Sequence, residues 1–130
     1  MSDNSKTPVG SIIWNDLTVK NAEEISKFYS EVIGWKTEPV SMGSYNDYNM
    51  LRPEDDVTGA GICHAHGVNE NLPAQWLIYI AVENIEKSVE RCTALGGKVI
   101  APTKFMKGYG KHCIIQDPAG AVCALFEPES

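Results

Sequence analysis

Two stretches of the chain share one layout. Leu17-Thr18-Val19-Lys20-Asn21 closes an apolar run, opens a helix-like segment at Ala22 and stops at Gly34. Sixty-three positions later, Ile80-Ala81-Val82-Glu83-Asn84 closes a second apolar run, opens a segment at Ile85 and stops at Gly96-Gly97. Val19 aligns with Val82, Asn21 with Asn84 and Gly34 with Gly97. Self-similarity at a fixed spacing constrains a fold more than any single motif, because each copy must be the same supersecondary unit. The chain therefore reads as two strand-helix-strands modules, with a site expected where they meet.

Within each copy the local signals agree. Residues 11–19 are rich in β-branched and aromatic side chains, which suit a pleated surface. Asn21 is a good helix N-cap, and Glu24 three residues later is placed to complete a capping box. Ala22, Ile25, Phe28, Tyr29, Val32 and Ile33 recur at helical spacing, and Gly34 suits the left-handed stop. The second copy predicts the same: Asn84 as cap, a stripe of Ile85, Val89, Cys92 and Leu95, then glycine. Three further strands are expected after each helix, at 35–41, 44–51 and 59–66, and at 98–104, 111–116 and 121–127. Asp117-Pro118-Ala119-Gly120 is a turn, with proline presetting φ and glycine supplying a positive one. Residues 67–74 form a polar linker, which sets module one at 10–66 and module two at 75–128 in a single domain. The polar start, 1–9, is expected to be a flexible tail without a signal region.

Composition narrows the function classes. At 130 residues and 43% apolar content the chain can fill one core. No apolar stretch is long enough to span a membrane. A net charge of −6 argues against nucleic acid as a partner. Cys63, Cys92, Cys113 and Cys123 form no C-x-x-C pair and no secreted framework, so free thiols and a cytoplasmic location are expected.

The twice-repeated layout resembles the vicinal oxygen chelate superfamily, which includes glyoxalase I, extradiol dioxygenases, methylmalonyl-CoA epimerase and the bleomycin resistance proteins. The stretches that carry it are Phe28-Tyr29-Ser30-Glu31-Val32-Ile33-Gly34-Trp35, Leu95-Gly96-Gly97-Lys98-Val99 and Asp117-Pro118-Ala119-Gly120-Ala121-Val122. The resemblance covers nearly all of 11–128. It implies an α+β fold of two βαβββ modules whose eight mixed strands form a cup with the helices outside. It also implies a homodimer, and says little of chemistry, because such folds host many reactions.

Strand side chains alternate between faces. Ile13, Leu17 and Val19 are expected beneath the first helix, which leaves Trp14, Asp16 and Thr18 on the concave face. Trp76, Ile78, Ile80 and Val82 are expected beneath the second helix, leaving Leu77, Tyr79 and Ala81 opposite. The resemblance places a metal ligand on the first and last strand of each module. When residues 121–124 are laid on 61–64, these positions are Trp14, His64, Leu77 and Ala124. Only His64 can coordinate, and a catalytic divalent site needs about three protein ligands. No metal and no cofactor are therefore expected.

The expected ligand-binding residues are Trp14, Asp16, Thr18, His64, Leu77, Tyr79 and Ala124. Small residues at Gly61, Cys63 and Ala65 suit the helix side, which would turn His64 and His66 into the cup. Glu127 reads as surface by the same parity. Residues 104–111, with three lysines, could be a lid over an anion or merely a polar connection. Three functions stay open. The first is a metal-free binder of a small molecule, of the bleomycin-resistance type. The second is a metal-independent lyase or isomerase in which Asp16 or His64 transfers a proton. The third is a metalloenzyme with displaced ligands such as His64, His66 and Asp16.

Overall fold

A computed structural model describes residues 7–129. Residues 1–6 of the expected tail lie outside the described residues. Eleven elements follow in order: β1 (Ile12–Val19), α1 (Ala22–Ile33), β2 (Lys36–Ser41), β3 (Asn46–Leu51), β4 (Thr58–His64), a 3-10 turn (Gly67–Asn69), β5 (Trp76–Ala81), α2 (Ile85–Ala94), β6 (Lys98–Met106), β7 (Gly110–Gln116) and β8 (Val122–Pro128). The strands make an eight-stranded mixed sheet, and the order βαβββ occurs twice, as the repeat predicts. Two compact units result: Asn15–Trp76, and the chain from Leu77 onward together with the segment ending at Trp14.

In the Asn15–Trp76 unit the strand order is β2-β3-β4-β1. β1 and β4 run parallel, and the remaining pairs are antiparallel. Leu17, Ala22, Tyr48, Met50 and Ile62 form the core beneath α1, with Val19, Ile25, Tyr29, Trp35 and Trp76 packed around it. Full burial of side chains such as Met50 and Ile62 stabilises by roughly 1.5–3 kcal/mol each. The Trp76 indole donates to the Tyr29 hydroxyl at 3.2 Å, so the aromatic cluster also satisfies its polar atoms.

Helix α1 departs from expectation in two ways. Asn21 makes no side-chain cap; its amide donates instead to Glu24 Oε1 at 3.3 Å. The inward stripe is Ala22 and Ser26, fully buried, with Ile25 and Tyr29 half-buried, whereas Phe28, Val32 and Ile33 are exposed. Positions i, i+3, i+4 and i+7 from Ala22 already cover the strands, which leaves Phe28 and Val32 to one side. Gly34 ends the helix at φ 93°, its N–H donating to Ser30 O at 2.9 Å.

In the other unit the order is β5-β8-β7-β6, with β5 and β8 parallel. Ile85, Cys113 and Leu125 form the core beneath α2, with Val82, Val89 and Ile115 around them. Here the cap is as expected, since Asn84 accepts the Lys87 N–H at 3.0 Å. Glu127, expected at the surface, is half-buried and accepts the Ile85 N–H at 2.9 Å. Two of α2's first N–H groups are thus satisfied by side chains, and the Glu127 charge also suits the helix N-terminus. Leu95 falls outside the stripe and is exposed. The left-handed residue after α2 is Gly96, at φ 97°, so it and not Gly97 does the work of Gly34. Gly97 is small for another reason: a Cβ there would lie 2.5 Å from Cys92 Sγ and 2.9 Å from Gln116 O.

The segment 104–111 is mostly strand, and only Lys107-Gly108-Tyr109 turns. Gly108 N–H donates to Glu129 Oε1 at 2.5 Å, and Glu129 N–H donates to Tyr109 O at 2.9 Å. This is a tight hairpin tied to the end of β8, not a long loop.

Candidate functional site

Pairing register assigns each strand residue to a face, since directly paired residues point the same way. In the Asn15–Trp76 unit, Leu17 pairs with Ile62 and Val19 with His64, while Asp16 pairs with Gly61 and Thr18 with Cys63. Leu17 and Ile62 lie in the α1 core. The other face, which α1 does not cover, therefore carries Asp16, Thr18, Gly61 and Cys63. β3 and β2 extend it with Asn49, paired to Gly61, and Glu38, paired to Asn49. Asp16 and Thr18 are only 7% and 5% exposed, unusual burial for a carboxylate. Asp47 hydrogen-bonds Cys63 on this side. Burial, and then the charges of Asp16 and Asp47, push the Cys63 thiol well above its ordinary range. Cys63 is thus a protonated thiol at neutral pH and a poor nucleophile.

His64 is the main correction. It shares the face of Val19 and Ile62, opposite Asp16, so the two do not converge. Its Nδ1 lies 2.8 Å from Asn46 O and 3.6 Å from Asp47 Oδ1, the latter beyond hydrogen-bond range. The ring sits among Tyr45 and Tyr48, at the wall of an open groove lined by Asn21, Glu23, Glu24 and Lys27. His66 lies past the end of β4 and is exposed beside Tyr45. Small size alone would put Gly61 and Cys63 beneath the helix. Their side is set instead by Ile62, whose bulk belongs in the core.

In the second unit two rows cross the face that α2 leaves uncovered. Tyr79 pairs with Ala124, Ala124 with Ile114 and Ile114 with Ala101. Ala81 pairs with Phe126, Phe126 with His112 and His112 with Lys104. Tyr79, Ala124 and the buried Leu77 therefore share a face. Trp14 is half-buried on the β1 segment that belongs to this unit. His112 adjoins Cys113 in β7, but adjacent strand residues point to opposite faces, so the two are no nucleophile–base pair, and sequence alone gives His112 no partner. Its ring centroid lies 6.1 Å from that of Tyr79. Burial, and then the nearby charge of Lys104, lower its pKa, so the imidazole is neutral at pH 7.

The register also moves one metal slot. Tyr79 lies sixty-three positions after Asp16, so its partner Ala124 corresponds to Asp16's partner Gly61, not to His64. The four slots then read Trp14, Gly61, Leu77 and Ala124, none of which offers a donor. Among the described residues, no three His, Cys, Asp or Glu side chains are grouped to hold an ion. The donor set does not fit a metal, and the displaced set His64, His66 and Asp16 does not converge.

This arrangement, a twice-repeated βαβββ module with an uncovered sheet face carrying a few polar groups, defines the class of the fold. A superfamily member from Vibrio splendidus shares it at a TM-score of 0.56 and 14% identity, covering 89% of this chain and 97% of that one. The chain matches the Glyoxalase/Bleomycin resistance protein/Dioxygenase superfamily over residues 11–125 and belongs to it. It is 26% identical over 119 residues to CFP32 of Mycobacterium bovis, named as a candidate glyoxylase. It is 25% identical over 128 residues to the anthracycline biosynthesis protein DnrV of Streptomyces peucetius. These alignments span 92% and 90% of this chain but only 44% and 46% of the relatives, so the chain spans less than half their length. Among the described residues, no helix is long and apolar enough to cross a membrane.

Proposed function

We propose that the chain binds a small organic molecule on the sheet face that α1 leaves uncovered, with Asp16 and Thr18 as its polar anchors. One observation carries this reading: a carboxylate only 7% exposed shares a sheet face with the small residues Gly61 and Cys63 and with the Thr18 hydroxyl. Ligand sites commonly combine such apolar surroundings with a few convergent polar groups. Asp16 favours a hydroxylated or cationic ligand, and repels a phosphorylated one. The test is a thermal-shift screen of metabolites that includes an anthracycline, because a ligand that binds only the folded state raises its melting temperature. Hits whose shift is lost in Asp16→Asn support the reading. A screen in which no hit depends on Asp16 or Thr18 overturns it.

The buried Asp16 also supports a second reading, a metal-independent lyase or isomerase in which this carboxylate moves a proton. Ligand-dependent exchange of substrate hydrogen with D2O, lost in Asp16→Asn, separates it from binding alone. His64 lies on the other face and would serve a different site.

Assembly as a homodimer is part of the proposal. Pro39 and Pro102 interrupt the donors of edge strands β2 and β6, which disfavours edge pairing. The exposed Phe28, Val32 and Ile33 of α1 are the better support. Sedimentation of a monomer at tens of micromolar would count against it. The four free thiols support a reducing, cytoplasmic setting.

A further inference from the structure

The two uncovered faces are equivalent by the repeat, yet their charges have diverged. Asp16 corresponds to Tyr79, Gly61 to Ala124 and Thr18 to Ala81. In the Asn15–Trp76 unit, Asp16 and Glu38 lie on the face, the Asp47 carboxylate accepts from the Cys63 thiol there, and the one strand lysine of that face, Lys36, is paired with Asp56. In the other unit, the strand residues on the corresponding face include no carboxylate. Their polar groups are Tyr79, Lys98 paired with Gln116, and Lys104 paired with His112. This is unusual placement in a chain of net charge −6.

The carboxylates of this unit are engaged elsewhere. Glu127 caps α2, and Glu86 binds Lys111, which lies on the α2 side, at 3.0 Å. Among the described residues, neither Lys98 nor Lys104 forms an ion pair. Between the polar groups lies the half-exposed ring of Phe126, with Ala101, Ile114 and Ala124 fully buried beside it.

We propose that this face recognises an organic anion, its carboxylate or phenolate oxygen held by Lys104 with hydrogen bonds from Tyr79 and His112, and its apolar body laid on Phe126. The proposal rests on the small-molecule reading and gives the second unit its ligand chemistry. A half-buried imidazole kept neutral is a hydrogen-bond donor that leaves the positive charge on the lysines. Lys98 strengthens the field from the far end of β6. The accessible Phe126 ring favours an organic carboxylate over inorganic phosphate, which would leave that ring uncovered.

The experiment is an amide-resonance NMR titration of the full chain with sodium benzoate, benzamide, benzylammonium chloride and sodium phosphate. Benzoate should saturably shift the Lys104, His112 and Tyr79 resonances, while the isosteric neutral benzamide binds about tenfold more weakly. Phosphate should not saturate. Lys104→Met should weaken benzoate about tenfold and leave benzylammonium unchanged, and Lys98→Met should act in the same direction by less. Asp16→Asn should do the reverse, weakening only benzylammonium. Benzamide binding as tightly as benzoate, phosphate competing equally, or benzoate indifferent to Lys104 overturns the anion face. If benzylammonium reports Asp16 and benzoate shifts nothing, the anion face fails while the small-molecule reading stands. If neither probe binds, both fail.

Discussion

Gly110→Ala should be far more damaging than Gly108→Ala, two residues away in the same hairpin. Gly110 lies at φ 142°, and a Cβ there would collide with the Glu127 carbonyl oxygen, with Glu129 N at 2.8 Å and Pro128 C at 3.0 Å. All three are backbone atoms, so no side chain can rotate away. Holding alanine in that conformation costs about 1–3 kcal/mol. Forcing β8 aside costs about 1–3 kcal/mol more. Each kcal/mol moves the melting temperature of a chain this size by roughly 3–5 °C, so a fall of about 10 °C or more is expected. Gly108, at φ 87°, has no atom within 4 Å of a built Cβ, and its replacement costs only the left-handed conformation, about 1–2 kcal/mol. Calorimetry of both variants decides the matter. Amide spectra of the Gly110 variant should show the disturbance spreading to His112, two residues along β7. Equal losses in the two variants would refute the argument, because it would mean that the hairpin is not held against β8.

Asp16→Asn should alter ligand affinity or turnover far more than melting temperature; a large stability loss with unchanged binding would make Asp16 structural. Folding lowers the His112 pKa, so the unfolded chain holds more protons around pH 6 and stability rises with pH. The contribution is present above the unfolded value, about 6.5, and is lost as pH falls below it towards the folded value. Chemical denaturation from pH 7 to 5 should show this limb, flattened in His112→Gln; parallel curves would exclude His112 as its source. Asn84→Ala should cost about 1 kcal/mol by urea titration, whereas Asn21→Ala, which removes no cap, should cost clearly less. Equal losses would contradict the different capping of the two helices.

Most of the fold was legible because several local signals coincided. Asn84, Ile85 and the terminal glycines marked α2 without help from tertiary contacts, and each expected strand exists within a few residues. Capping was less legible: Asn21 and Asn84 look alike in sequence, yet only Asn84 reaches an N–H. Glu127 was missed because its partner, Ile85 N–H, lies 42 residues away and leaves no local trace. The outward turn of Phe28 and Val32 was hidden similarly, since a helical stripe does not say how wide a surface needs covering.

The sheet faces of the candidate residues were legible only where a strand's own alternation was unambiguous. β1 and β5 alternate cleanly, so Asp16, Thr18, Leu77 and Tyr79 fall on the faces that the register gives them. β4 does not, because Gly61, Ile62, Cys63 and His64 offer two small residues on one face and a mixed pair on the other. A one-residue error of parity there moves His64 to the wrong side of the sheet. Aligning the two modules through their turns made the same error larger, placing Ala124 against His64 three residues from its true counterpart Gly61. Hydrogen-bond register is the surer guide to equivalence, since loops between strands change length freely while a parallel ladder cannot slip without exposing its core. Through that register the acidic face around Asp16 and the basic face around Lys104 become the same structural position in two copies. Neither the motifs nor the net charge of the chain could show that division, because only pairing places Lys98, Lys104 and His112 on one surface and Glu86 and Glu127 on the other.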